Sequence, residues 1–279
     1  WVSSADYRSD LANSPKIMKQ ISEAYRKIRN TARFLMSNLY DFDPAKDRVD
    51  FAELQELDRW AMHKLHKLIK RVLQAYRDYE FHIVYHAIHK FCVVDMSAFY
   101  LDIVKDRLYT SLAEDKGRKS AQTVMYDVIH ALVRLIAPIL TFTSEEIWRY
   151  LPKEEGAPIS VQLLSMPEVK EEYINEELAV KWDRILEIRE KVSKELEVAR
   201  QQKVIGHSLN AAVDLYPNNE MYRFLMKVED QLATIFIVSS VKLFEPGVLV
   251  PEEATQEEDL SLAIKVSAAP GEKCERCWT

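Results

Sequence analysis

The stretch that decides the fold is RKIRNTARF at residues 26–34, where basic and apolar side chains alternate with a helical period. At 100° per residue, apolar side chains recur on one face of this helix and polar ones on the opposite face. The apolar face comprises Ile17, Ile21, Ile28, Ala32 and Leu35. The polar face, called here the first basic stripe, comprises Lys19, Arg26, Asn30 and Arg33. One face therefore belongs to a core, and the other is open to solvent or to a polyanion.

A second basic stripe follows at residues 59–77, a segment that contains no acidic residue. Its members are Arg59, His63, Lys67, Lys70, Gln74 and Arg77. The acidic residues collect near the end, where residues 250–279 hold seven Asp and Glu against three Lys and Arg. Basic surfaces bind phosphate backbones by releasing counterions, even on a protein that is acidic overall. The charge pattern therefore favours a nucleic-acid partner, with solvated basic faces as the alternative.

Composition bounds the class of protein. The chain has 279 residues, of which 48% are apolar, and a formal net charge of −6, so it is globular and able to bury a sizeable core. Its five glycines form no phosphate-binding loop. Three cysteines are too few for a disulfide framework and suit a reducing compartment, so we expect a cytoplasmic protein without a membrane span. Because the sequence opens on Trp1, we also expect it to be part of a longer chain.

Long helical periods dominate the first half of the chain. They predict helices at about 15–40, 51–79, 80–112 and 118–150, which form an antiparallel-leaning bundle over residues 15–152. Pro15 suits a first helical turn, and Pro138 should kink or end the fourth pattern. After it, Thr143 and Glu146 are spaced as a capping box, which would turn Trp148 inward.

The second half predicts a small α+β module at residues 175–267, after a linker at 153–174 with a short extended run at 159–164. A charged helix is expected at 175–203, closed by Gly206 as a C-terminal cap. Strands are expected at 209–216, 234–243 and 260–266, and a short helix at 220–228. The acidic stretch 251–259 is expected to be a loop.

Three motifs in order resemble a known family. They are RKIRNTARF at 26–34, MSAFYLD with KDRLY at 96–109, and APILTFTSEEIW at 137–148. Together they resemble the anticodon-binding helical bundle of class I aminoacyl-tRNA synthetases for branched aliphatic amino acids. Residues 1–14 resemble the segment that follows the catalytic loop in that family, so the resemblance implies a catalytic core upstream, with ATP and Mg, and no catalytic residue in this chain.

The resemblance implies that the bundle binds a tRNA as a monomer. Phosphate contacts position an RNA and polar or aromatic contacts read its bases. We therefore expect Asn30 to donate to a base or ribose edge. The expected phosphate contacts are Lys19, Arg26, Arg29 and Arg33, with Lys67 and Lys70 of the second basic stripe.

The tail resembles that of the bacterial isoleucine-specific members, which implies a tRNA for isoleucine. In those members the pair Cys274 and Cys277, within residues 268–279, is the first half of a zinc knuckle. A structural zinc site takes about four ligands, so the site is incomplete here. From spacing alone, the pair is ambiguous between zinc and redox chemistry. Arg276 and Trp278 are expected RNA contacts, Trp278 by stacking on a base.

Two alternatives stay open: the corresponding region of a valine-specific member, and a helical protein-interaction module without specific RNA binding. Three other features have structural interpretations. His82, His86 and His89 have a helical spacing that could present imidazoles to a metal, but no carboxylate or thiol belongs to the motif, so helix packing and surface hydrogen bonding are favoured. Cys92 lies in an apolar run and is expected in the core. VIGH at 204–207 differs by one residue from a class I synthetase signature but follows a helix, so we assign it no catalytic role.

Overall fold

The structure is a computed structural model that describes residues 1–271 and 274. Two compact units divide the chain, one at Trp1–Ala179 and one that begins at Val180. The helices are α1 Pro15–Ser37, α2 Glu56–Arg77, α3 Phe81–Lys90, α4 Leu101–Ile103, α5 Lys105–Thr110, α6 Lys116–Ile136, α7 Thr141–Tyr150, α8 Glu176–Gln201, α9 Asn219–Leu225 and α10 Glu229–Phe236. The strands are β1 Ala211–Pro217, β2 Ser240–Leu243, β3 Thr255–Glu257 and β4 Leu262–Ala268. The predicted class, a mainly α bundle followed by a small α+β module, is confirmed.

Helix α1 begins where the sequence predicts. Ser14 is its N-cap, and the Ser14 hydroxyl accepts a hydrogen bond from the Ile17 amide at 3.2 Å. Pro15 occupies the first helical position, where an amide N–H would have no hydrogen-bond partner within the helix. The helix ends at Ser37, three residues before the predicted end, because the amide of Asn38 turns back to the carbonyls of Leu35 and Met36.

The third predicted helix is interrupted in a way that periodicity did not indicate. Between α3 and α4, residues Phe91–Tyr100 form a π-helical segment. Inside it, the carbonyl of Cys92 accepts a hydrogen bond from the Thr31 hydroxyl of α1 at 3.3 Å. Burial raises the pKa of the Cys92 thiol to about 12, which fits the predicted core role.

The fourth predicted helix is divided at Pro138. Helix α6 ends at Ile136 and α7 starts at Thr141, as expected for a proline that removes a backbone donor. Trp148 is buried as predicted, and its indole N–H donates to the Pro158 carbonyl at 2.9 Å.

The predicted capping box at Thr143 is wrong. Helix α7 starts two residues earlier, and its N-cap is Leu140, which offers no capping side chain. Thr143 therefore lies inside the helix, where its hydroxyl lies 3.1 Å from the Tyr25 hydroxyl. Glu146 sits on the exposed side of α7 and reaches back to no cap.

Helix α6 is the centre of the first unit and is buried on nearly all sides. Helices α1 and α2 each pack against α3, the π-helical segment and α6. The two helices thus share the same neighbours, as the diagonal helices of a four-helix bundle do. Within residues 1–271, none of the helices combines the length and apolar character that spanning a bilayer requires.

The second unit contains a four-stranded mixed sheet in the order β2-β1-β4-β3. Strand β1 is parallel to β2 and antiparallel to β4, and β3 is antiparallel to β4. The predicted strand at 234–243 is too long, because residues up to Phe236 belong to α10 and Ile237 takes a left-handed conformation that ends it. The predicted acidic loop also contains β3.

Two further local predictions are wrong. Helix α8 is closed by Lys203, not by Gly206: Lys203 has φ of +62°, and the amide of Val204 bonds the carbonyl of Ala199. This is the Schellman arrangement, with lysine in the position that glycine usually takes. The predicted extended run at 159–164 contains a short 3₁₀ turn, Val161–Leu163. It is held by Glu145, whose carboxylate accepts hydrogen bonds from the Ser160 hydroxyl and the Val161 amide.

Candidate nucleic-acid interface

The first basic stripe is exposed along its whole length, as are the neighbouring Arg29 and Lys27. It faces outward because the opposite side of α1 buries Ala24, Ile28, Ala32 and Leu35 in the core. Arg26 has an internal partner, since its guanidinium Nε donates to the Glu23 carboxylate at 3.0 Å. The same contact lowers the pKa of Glu23.

Arg29 and Arg33 line a groove of about 610 Å³ between the end of α1 and α7. Within residues 1–271 and 274, neither guanidinium has a carboxylate within 4 Å. Two unneutralised guanidinium groups on one helix face attract phosphate, which Arg binds through a planar pair of donors. Tyr40, Glu146 and Tyr150 also line this groove.

The second basic stripe has a different environment, because residues 168–176, called here the acidic linker, lie across it. His63 is buried, although the sequence pattern placed it on the exposed stripe. Its Nδ1 accepts the backbone N–H of Asn175 at 3.0 Å, which explains why a polar ring on this face is covered. One turn along, Nδ1 of His66 accepts the N–H of Lys170 at 3.1 Å.

Ion pairs join the lysines of this stripe to the acidic linker. Lys67 Nζ lies 2.8 Å from Glu176 Oε1, and Lys70 Nζ lies 2.8 Å from Glu171 Oε1. The hydrogen bond from Lys67 lowers the pKa of Glu176. Tyr173 completes the contact, with its ring stacked on that of Phe51 at a centroid distance of 4.0 Å. The structure thus gives both predicted RNA-contacting lysines partners within the same unit.

A buried ionic cluster fixes the inner side of α2. The Asp58 carboxylate is fully buried and accepts hydrogen bonds from the Tyr100 hydroxyl at 2.8 Å and from the Ser120 hydroxyl at 2.5 Å. Arg107 pairs with both carboxylate oxygens, at 2.8 and 2.9 Å. Four hydrogen bonds thus compensate the burial of the Asp58 charge.

The site residues of the tail are only partly described. Cys274 is exposed, whereas Cys277, Arg276 and Trp278 lie outside the described residues. Among residues 1–271 and 274, no group of three or more His, Cys, Asp or Glu side chains is placed to hold a metal ion.

Sequence reasoning missed Tyr40, Glu146 and Tyr150 as neighbours of the first basic stripe. Each is exposed, and the groove that they line is formed only when α7 packs beside α1. One signal was present: Tyr40 ends the predicted first helix but lies off its apolar face, so its ring was not expected to pack in the core.

Known proteins are similar to this chain over its full length. The isoleucine–tRNA ligase of Moorella thermoacetica is 60% identical over 279 residues, and that of Desulforamulus reducens is 58% identical over 278. The isoleucine–tRNA ligase of Caldanaerobacter subterraneus is 53% identical over 279 residues. All of this chain is covered in each case, and the chain spans about 30% of the length of these relatives.

A family model, the anticodon-binding domain of tRNA ligase, matches residues 58–215. The match begins inside α2 and ends in β1, so it includes two of the three motifs from which the family resemblance was predicted. That prediction is confirmed. Since the match covers more than half of the 279 residues, the chain belongs to the family of anticodon-binding domains of tRNA ligases.

Proposed function

We propose that this chain recognises the anticodon arm of a tRNA through the first basic stripe and Arg29. The observation that carries the proposal is that Arg29 and Arg33 are exposed beside a groove and lack a carboxylate partner among the described residues. Lys19 and Arg26 extend the same charged face toward the start of α1. Such a row of cations follows a phosphate backbone. The amide of Asn30, between the arginines, is a donor for a base or ribose edge.

For Lys67 and Lys70 we propose another role, which is to hold the acidic linker. Their ammonium groups already pair with Glu176 and Glu171.

We propose that the tRNA is specific for isoleucine, and that the whole protein attaches isoleucine to it with ATP and Mg at a catalytic core outside these 279 residues. The support is that the relatives are isoleucine–tRNA ligases that share 53–60% identity with all of this chain. A zinc at Cys274 and Cys277, with Arg276 and Trp278 against the anticodon loop, stays a prediction, as do the monomeric state and the cytoplasmic location.

The experiment is filter binding of the full chain to transcripts of isoleucine and valine tRNAs, each with its own and with an altered anticodon, over a salt series. The variant Arg29→Ala/Arg33→Ala should weaken binding at least tenfold and flatten the salt slope by about one for each lost phosphate contact. The matched control is Arg71→Ala/Arg77→Ala, which removes two exposed arginines of α2 and should leave affinity nearly unchanged.

The outcomes separate the alternatives. Preference for the isoleucine tRNA that disappears when its anticodon is changed supports the proposal, and preference for the valine tRNA selects the valine-specific alternative. Equal and weak binding to all transcripts, with no difference between the two double variants, would contradict RNA recognition by α1 and favour a protein-interaction module.

A further inference from the structure

We propose that Thr31 is a positioning residue whose hydrogen bonds to the π-helical segment set the rotation of α1, and with it the direction in which Arg29 and Arg33 face. The inference rests on the proposed function and adds to it the residue that orients its arginines. At about 100° per residue, Thr31 lies about 200° around the helix from each arginine, so it is almost diametrically opposite both. A contact that holds Thr31 in place therefore fixes the face that the RNA meets.

Thr31 is a polar residue on the buried face of α1 and is 2% exposed. The other buried residues of this helix are Ala24, Ile28, Ala32 and Leu35. A buried hydroxyl costs free energy unless it is hydrogen-bonded, so an apolar side chain would fill this position more simply. Apolar contacts have no preferred direction, whereas a hydrogen bond requires its partners at defined distances and angles. The hydroxyl therefore supplies an orientation that a valine of similar shape would not.

The Thr31 hydroxyl has three partners. Its oxygen lies 3.1 Å from the Lys27 carbonyl oxygen, one turn back on α1, and 3.3 Å from the Cys92 carbonyl oxygen. The hydroxyl oxygen of Ser97 lies 3.0 Å away. Carbonyl oxygens only accept, so all three contacts are satisfied when Thr31 donates to the carbonyls and Ser97 donates to Thr31. Two of the three partners belong to the π-helical segment, so the hydroxyl ties α1 to a second element.

The π-helical geometry explains why Cys92 and Ser97 meet at one point. In an α-helix, residues five apart are about 140° apart around the axis and face different ways. A π-helix instead closes its hydrogen bonds between residues five apart, which brings them to the same side. The wider turn thus places the Cys92 carbonyl and the Ser97 hydroxyl together against α1. Such segments are frequent at functional sites, and this one orients the helix that carries the basic face.

The experiment measures both the Kd and the RNA-binding fraction of the full chain with an isoleucine tRNA transcript. Thr31→Val removes the hydroxyl and should weaken binding by about threefold to tenfold, the size expected when a substitution alters a site without touching its ligand. Thr31→Ser keeps the hydroxyl and should bind within about twofold of the wild-type chain. Ser97 is exposed, so Ser97→Ala leaves the core unchanged and should weaken binding in the same direction by a smaller factor.

A double-mutant cycle tests whether Thr31 acts through the arginines. Adding Thr31→Val to Arg29→Ala/Arg33→Ala should cause no further loss of affinity, measured at low salt where the remaining binding is strongest. Thr123→Val is the matched control, because the buried Thr123 hydroxyl makes the same kind of bond on α6, to the Lys119 carbonyl at 2.9 Å. It should lower the temperature of unfolding and leave the Kd unchanged.

The two proposals fail in different ways. If Arg29→Ala/Arg33→Ala leaves RNA binding unchanged, both are wrong. If that variant weakens binding but Thr31→Val and Ser97→Ala keep the wild-type Kd, the arginines bind RNA and Thr31 does not position them. A smaller RNA-binding fraction with an unchanged Kd would show that the hydroxyl only stabilises the fold. A loss of the same size with and without the two arginines would also overturn the proposal, because Thr31 would then act by another route.

Discussion

The two basic stripes look alike in sequence and differ in the structure. Both combine cations at a helical spacing with an apolar opposite face. On α1 the stripe stays exposed, and Arg29 beside it lines a groove. On α2 the acidic linker lies across it, with two histidine rings and two lysines as contacts. Helical periodicity therefore identifies the charged face of a helix but not whether the chain itself covers that face.

The largest effect is expected from breaking the ion pair between Arg107 and the buried Asp58, which holds the inner side of α2. Arg107→Ala leaves the fully buried Asp58 carboxylate without its cation, and such a loss costs about 3–5 kcal/mol. The corresponding change on α1, Thr31→Val, removes a hydroxyl hydrogen bond and should cost about 1 kcal/mol. Urea denaturation of both variants measures the difference.

If Arg107→Ala and Thr31→Val lowered the free energy of unfolding by the same amount, α1 and α2 would be held in the same way. The double variant Asp58→Asn/Arg107→Met is the control, since it removes the unpaired charge and should recover part of the stability.

A second, smaller effect should come from pH through His66. Burial lowers the pKa of His66 to about 4, with the Lys170 ammonium adding to it. Because the folded-state pKa is below the unfolded value of about 6.5, the unfolded chain takes up the proton first. The contribution of neutral His66 to the free energy of unfolding is complete above pH 6.5. As pH falls toward 4, this contribution is lost, which lowers the free energy of unfolding by about 1–2 kcal/mol after allowance for solvent screening.

The free energy of unfolding from pH 7.5 to 4.5 measures this effect, with His66→Asn as the matched variant. The Asn side-chain oxygen can accept the Lys170 N–H in place of Nδ1, but it does not titrate. His130, whose pKa burial also lowers to about 4, titrates in both proteins, so the difference isolates His66. If the free energy of unfolding had the same pH dependence in the wild-type chain and in the His66→Asn variant, the His66 ring would not hold the acidic linker.

The smallest effect is expected from the surface ion pairs. Lys67→Glu/Lys70→Glu should reduce stability less than the His66 effect, because exposed pairs contribute little, and should change tRNA affinity by less than twofold. Adding Glu171→Lys/Glu176→Lys should restore the lost stability by reversing both pairs. A tenfold loss of tRNA affinity in the lysine variant would return Lys67 and Lys70 to the RNA-binding surface.

Much of the bundle was predictable because its helices carry strong periodic patterns and clear terminal signals. Pro15 marked the start of α1, and Pro138 marked the break between α6 and α7. The errors arose where backbone geometry overrode a residue preference. Lys203 adopts the left-handed conformation that ends α8, whereas the sequence predicted Gly206 as the cap. The π-helical segment has no periodic pattern that distinguishes it in the sequence.

The candidate site was predictable only in part. The exposed residues of α1 follow from their spacing, because one helix determines its own faces. The groove beside them depends on α7 packing against α1, which no local pattern encodes, so Tyr150 and Glu146 were missed. For the same reason the partners of Lys67 and Lys70, about a hundred residues away in sequence, could not be inferred.

The ion pairs of the acidic linker have a consequence for competition among RNAs in a cell. Attraction between cations and phosphates is the same for every RNA, and non-cognate RNAs are in great excess. An RNA held on α2 without contacting Arg29 and Arg33 of α1 would occupy the protein unproductively. If RNA binds along α1 as proposed, the pairing of Lys67 and Lys70 with Glu176 and Glu171 should disfavour such unproductive complexes.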